Sequence, residues 1–117
     1  MSGTVSYHAG LAAEDSVARG YEARGLPIAA RRWRGRSGEI DLVARDGDGL
    51  VFVEVKKARD FVRAAERVGR RQMERVMGAA LEFLAGEPRG QLTEIRFDVA
   101  LVNAMGEIDI VENAFCA

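Results

Sequence analysis

The sequence predicts an α/β domain, a short mixed β-sheet flanked by helices. Three observations predict it. Gly38 to Lys56 carries two runs of alternating apolar residues around Asp46-Gly47-Asp48-Gly49, the pattern of a β-hairpin. Residues 9–25 and 70–85 place apolar side chains at i, i+3 and i+4, the spacing of amphipathic helices. Two more strand patterns, Glu94 to Val102 and Glu107 to Val111, follow the second helix. A chain of 117 residues is enough for one domain and one core.

Taken in order, residues 1–8 are expected to be flexible, with a lone histidine, His8, that makes poor evidence for a ligand. The first helix presents Leu11, Ala12, Val17, Ala18 and Tyr21 as an approximate stripe and stops at Gly25. Leu26-Pro27 breaks it, and Ile28 to Arg34 alternates as a strand in which Trp33 is read as a packing residue. Arg34-Gly35-Arg36-Ser37-Gly38 is a loop. After the hairpin, Asp60 is placed to cap a short helical piece through Val68, and Gly69 separates it from the main helix. On that helix Met73, Val76, Met77, Ala80, Leu81 and Leu84 form the apolar stripe, with Gln72 at its border. Ala85 to Gly90 is a loop by its Pro and Gly content. Asp98, within the next strand, is read as the partner of an arginine.

The hairpin carries the chemistry. A turn over Gly47-Asp48 sets Asp41 opposite Glu54 and Glu39 opposite Lys56. Alternation then sends these four charged side chains to one face, and Ile40, Leu42, Val51, Val53 and Val55 to the other. Two carboxylates that close repel unless one is protonated or a cation lies between them. A hard ion such as Mg²⁺, or Mn²⁺ in its place, takes oxygen ligands and keeps waters or phosphates for the rest. Lys56 would stand beside a bound water. That is equipment for metal-assisted phosphodiester hydrolysis. The plainer reading is a solvated sheet face with a Glu39–Lys56 pair. Glu14, on the first helix, is either a surface carboxylate favoured by the helix dipole or a third acid aimed at the hairpin. Gln72 can hydrogen-bond a phosphate or the attacking water, or be exposed.

Composition narrows the partners. The net charge is −1, but Arg24 to Arg36 and Lys56 to Arg75 are each +5, which leaves the remainder at −11. Segregated positive charge suits a phosphate-binding surface, with Arg31, Arg34, Arg36, Arg67, Arg70 and Arg71 as candidate nucleic-acid contacts. No apolar run approaches the ~18 residues of a membrane span, and the first residues lack a signal-peptide pattern. One cysteine, Cys116, cannot form an internal disulfide, so a reducing, cytoplasmic setting is expected.

Gly38-Glu39-Ile40-Asp41-Leu42, Val51-Phe52-Val53-Glu54-Val55-Lys56 and Arg96-Phe97-Asp98-Val99, preceded by Ala13-Glu14 and Trp33-Arg34, resemble the YraN-like family. That family of small bacterial proteins is similar to archaeal Holliday-junction resolvases within the PD-(D/E)xK nuclease superfamily. The resemblance implies a restriction-endonuclease-like core and a divalent metal, usually Mg²⁺. By the same resemblance Asp41 and Glu54 match metal-binding acids, with the Val55 carbonyl as a further ligand. Lys56 matches the catalytic lysine, Glu14 the helix acid and Gln72 a polar residue on the following helix. The chain departs from the family's usual wording at Arg32, where Asn is usual, and at Lys57-Ala58, Val62 and Arg71. The expected function is metal-dependent endonuclease action on DNA, branched or otherwise structured. A nucleic-acid-binding module without turnover and a protein-interaction domain, each compatible with a homodimer, are the competing readings.

Overall fold

A computed structural model describes residues 3–115, with side chains from residue 10 onward. The readings of the His8 side chain and of Cys116 lie outside the described residues. Helix α1 (Gly3–Ala23) is followed by β1 (Ile28–Arg34), β2 (Glu39–Asp46) and β3 (Gly49–Lys57). Then come α2 (Phe61–Glu66), α3 (Arg70–Leu84), a 3₁₀ turn (Gly90–Leu92), β4 (Ile95–Val102) and β5 (Ile108–Phe115). The fold is α/β: a five-stranded sheet in the order β1-β2-β3-β4-β5, parallel between β3 and β4 and antiparallel elsewhere. The parallel pair is made possible by the α2–α3 crossover.

The hairpin forms in the register its turn dictates. Asp46 pairs with Gly49, Gly47 takes φ +59, and Leu42 pairs with Val53. The first helix starts at Gly3, earlier than its periodicity suggested, and ends where expected. Gly25 takes φ +82 and the Leu26 N–H returns to the Tyr21 carbonyl at 2.9 Å. Its buried stripe is Ala13, Val17, Ala18 and Tyr21, so Ala13 replaces Ala12, which faces solvent. This stripe packs on Leu42, Ala44, Val51, Val53, Ala100 and Val102. On the other face, Met73, Val76, Ala79, Ala80 and Leu84 of α3 cover Ile40, Val43, Leu50, Phe52 and Phe97. Each large side chain so buried contributes roughly 1.5–3 kcal/mol. Leu81, expected on this stripe, is 53% exposed, because Ala79 takes its place against the sheet. Trp33 packs edge-on against Phe83 at 5.2 Å, as a core residue. Asp60 caps α2 by accepting the Arg63 N–H at 2.8 Å, and Gly69 is the N-cap residue of α3.

Besides a register shift in β1 between Ile28 and Ala30, two irregularities bear on the site. Ile40 lies on the α3 side although Leu42 lies on the α1 side. Residues two apart should share a face, so the alternation of β2 breaks at Asp41. The expectation that Ile40 and Leu42 share a face is therefore corrected. Strand β5 continues past Val111 through a bulge to Phe115, with Asn113 at φ +51. The bulge is built around Asp98. This carboxylate is 0% exposed and accepts from Asn113 N–H at 3.0 Å, Tyr21 Oη at 2.6 Å, and Arg96 Nε and Nη2 at 3.0 and 3.2 Å. Asp98 is thus an arginine partner, as its sequence position suggested, and also the tie between α1, β4 and β5.

Candidate active site

The site is built where β2 and β3 part. The ladder between them runs up to Leu42 and Val53. Beyond it, side chains replace backbone bonding. The Val55 N–H donates to Asp41 Oδ2 at 2.8 Å, and the Asp41 N–H donates to Glu54 Oε1 at 3.3 Å. Each strand's carboxylate is held by the other strand's backbone, so the two acids converge. β3 stays paired with β4 throughout, with Glu54 beside Val99 and Lys56 beside Leu101, so it is β2 that parts from it.

Helix α3 closes the site from one side. Gln72 donates through Nε2 to Glu54 Oε2 at 3.2 Å and accepts through Oε1 from Lys56 Nζ at 2.5 Å. One amide therefore joins the lysine to the acid, and both partners fix its orientation. Gln72 lies one turn before the buried Val76, which carries it to the rim of the sheet. Helix α1 brings Glu14 from the other side. It stands one turn before the buried Ala18, and its side chain is 16% exposed. Glu39 does not pair with Lys56. Beside the displaced Ile40 it turns the other way, with its carboxylate 3.0 Å from Arg34 Nη2 and 3.9 Å from Arg32 Nε. The four hairpin charges consequently do not share one flat face, which corrects the simple alternation. Asp41, Glu54 and Lys56 meet at the fork, and Glu39 belongs to its outer edge.

The electrostatics are those of crowded acids. Glu54 is 1% exposed, and burial followed by the charge of Asp41 pushes its carboxyl up to about 8, against the pull of the Asp41 N–H and of Lys56. Burial also raises Asp41, opposed by the Val55 N–H and Lys56. Burial and then the Asp41 charge raise Glu14 to about 7, with Arg32 acting in the opposite sense. Each of these groups would be relieved by added positive charge. Among the described residues no group of three His, Cys, Asp or Glu side chains is gathered to hold an ion by itself. The donor set available is two hard carboxylates with the neighbouring Val55 carbonyl. It fits an ion that keeps water or phosphate oxygens, as Mg²⁺ does.

The arginines named from the sequence are all exposed. Arg31 pairs with Asp15 at 2.5 Å, Arg34 with Glu39, and Arg70 with Glu74 at 3.6 Å. Arg67 donates to the Lys57 carbonyl at 2.6 Å, beside the site. Arg36 is carried on the β1–β2 loop, whose Arg36 and Ser37 N–H groups donate to Glu82 at 2.8 and 2.9 Å. Arg71 precedes Gln72 on α3. Arg32 was missed as a site residue. The signal was its register, because the strands place it across from Asp41.

Comparison with known proteins agrees with the sequence resemblance. Residues 13–102 match the model of the family described as Uncharacterised protein family UPF0102, the YraN-like family. A UPF0102 protein of Cereibacter sphaeroides is 65% identical over 117 residues, which is the whole of both chains. One of Ruegeria pomeroyi is 65% identical over 113 residues, covering 97% of this chain and 92% of that protein. One of Dinoroseobacter shibae is 44% identical over 111 residues, covering 95% and 83%. Among the described residues no helix is long and apolar enough to cross a membrane. With its fork of two carboxylates, its lysine and its matching relatives, the chain belongs to the UPF0102, or YraN-like, family.

Proposed function

We propose that this chain is a metal-dependent endonuclease that hydrolyses phosphodiester bonds in DNA, with branched or otherwise structured DNA as its substrate class. The observation that carries the reading is the reciprocal bonding of Asp41 and Glu54 across the strand fork, with Lys56 joined to Glu54 through Gln72. A surface ion pair needs no such arrangement. Here two acids are held together although burial raises both and the Asp41 charge raises Glu54 further, and structure is spent on keeping them so.

Asp41, Glu54 and the Val55 carbonyl would hold Mg²⁺ or Mn²⁺, and Glu14 would act through a water. When bound, such an ion polarises the phosphoryl oxygen and acidifies a bound water. The chain's own groups do the rest. Lys56 brings an ammonium to the fork, where it opposes negative charge building on the phosphoryl oxygens and orients the attacking water. Gln72, fixed at both ends of its amide, keeps Lys56 within reach and covers the outer oxygen of Glu54. Arg34, Arg36, Arg67, Arg70 and Arg71 supply phosphate contacts that position a strand without reading its sequence. Arg34 and Arg70 have surface carboxylates, Glu39 and Glu74, as partners, and such pairing is worth little, so exchange for a phosphate is easy.

The test is incubation of purified protein with branched and single-stranded DNA in Mg²⁺ or Mn²⁺. Lys56→Ala is expected to lower the cleavage rate by about 10²–10³, and Asp41→Ala to abolish cleavage. Cleavage unchanged in both variants would refute the site. Salt-dependent binding with no cleavage in any metal would favour the binding-module reading instead.

A further inference from the structure

The rung between β1 and β2 at the site is irregular on both strands. Arg31 pairs with Leu42 and Trp33 with Ile40, which sets Arg32 across from Asp41. Arg31 and Leu42 face α1, through Asp15 and the α1 core, whereas Trp33 and Ile40 both pack against α3. The two strands change faces together across this single rung. Arg32 makes the change by taking φ +50, the left-handed region that a residue with a Cβ rarely occupies. An arginine has no intrinsic reason to stand there, and such outliers point to function when the surroundings enforce them. Here the outcome is specific: the guanidinium Nε lies 3.6 Å from Glu14 and 3.9 Å from Glu39, carboxylates from two different elements beside Asp41.

We infer that Arg32 is a resident cation of the acid cluster, which engages Glu14 until a substrate phosphate draws the guanidinium away, so that the site gains its third acid only when nucleic acid is bound. This rests on the metal-site reading above. A guanidinium is matched to phosphate by its paired donors, so a phosphate competes with Glu14 and Glu39, at 3.6 and 3.9 Å from Nε, for the Arg32 side chain. Until that exchange the positive charge occupies the neighbourhood a divalent ion would enter. Like-charge repulsion over a few ångströms, screened at a half-exposed site, weakens ion binding by about tenfold.

The test is calorimetric titration of Mn²⁺ alone, without nucleic acid, into wild type, Arg32→Asn, Arg32→Lys and Asp41→Asn. Asn tolerates the left-handed backbone, so Arg32→Asn keeps the rung, and circular dichroism checks the fold. Arg32→Asn is expected to bind Mn²⁺ about tenfold more tightly than wild type, and Arg32→Lys to stay within threefold of wild type. Adding Glu14→Gln is expected to reverse the gain in the Arg32→Asn background but to change wild-type affinity less than twofold. Equal or weaker binding by Arg32→Asn, with Asp41→Asn still abolishing the heat, overturns the role of Arg32 while leaving the metal site standing. No Mn²⁺ binding by any variant overturns both. A gain in Arg32→Lys equal to that in Arg32→Asn shows that charge is not the cause and also overturns the inference.

Discussion

Glu54→Gln should make the metal-free protein more stable in alkali and less able to hold an ion. Glu54 is 1% exposed, and its carboxyl is displaced upward from 4.5 to about 8 by burial and by Asp41. The folded state therefore binds this proton more tightly than the unfolded chain. Its contribution to stability is complete below the unfolded value of 4.5 and is lost as pH rises through about 8. At about 1.4 kcal/mol per unit the full displacement corresponds to roughly 5 kcal/mol. That is a large share of the 5–15 kcal/mol typical of a domain. Glutamine keeps the shape and still accepts the Asp41 N–H, but it turns a donor toward the Gln72 amide. The lost hydrogen bond costs about 1 kcal/mol at every pH. The variant should thus be about 1 kcal/mol less stable than wild type near pH 4.5 and about 2–4 kcal/mol more stable near pH 8.5. Urea unfolding at several pH values, with a chelator present and with unchanged m-values, measures this. Saturating Mn²⁺ should cancel most of the variant's lead near pH 8.5, because only the wild type gains binding energy, about 2.7 kcal/mol at a hundredfold excess over Kd. A difference between variant and wild type that does not vary with pH would refute the reasoning, since Glu54 would then be an ionised, satisfied group.

The other predictions concern the scaffold. Tyr21→Phe removes the donor to a buried carboxylate and should cost about 1.5–3 kcal/mol; Asp98→Asn, which weakens the bonds from Tyr21 and the Asn113 N–H while Arg96 keeps Asp46 and Glu112 nearby, should cost about 1.5–3 kcal/mol. Thermal melts check both, and a loss below about 0.5 kcal/mol for Tyr21→Phe would show the contact to be idle. Gly20→Ala, where a Cβ meets nothing within 4 Å inside α1, should stabilise by about 0.5–1 kcal/mol. Gly35→Ala should destabilise by about 1–3 kcal/mol, because its Cβ would stand 2.9 Å from the Glu82 carboxylate that the loop's own N–H groups hold in place. Both glycine variants can be read from chemical denaturation midpoints.

Much of the site was legible because a two-residue turn fixes register. Gly47-Asp48 counts the strands together as far as Leu42 and Val53, and the next residues on each strand, Asp41 and Glu54, meet through side chain–backbone bonds. For Glu14 and Gln72 the helix period leaves two readings open, although each stands one turn from a buried residue, and their site roles come from the family resemblance. What escaped were the places where an element departs from its period. A period-two reading assumes an unbroken pleat, so it could not foresee that Arg32 and Asp41 share an irregular rung, or that Ile40 changes sides. Nor could it foresee that Asn113 continues β5 through a bulge, because the cause is Asp98, a residue fifteen positions away. Leu81 was misplaced for a related reason. Which of two adjacent apolar residues reaches the core depends on the surface opposite, and the sheet accepted Ala79.

The polar knot around Asp98 sets the geometry of a residue it never touches. Tyr21 fastens α1 to the sheet seven residues beyond Glu14, about 10 Å along the axis at 1.5 Å per residue. The helix is in effect a rod pinned near one end with an acid near its middle. A tilt of about 5° at the pin would swing Glu14 through roughly 1 Å at that length, comparable to the difference between a ligand and a bystander. Aim at the fork is therefore inherited from an anchor two turns further along the helix.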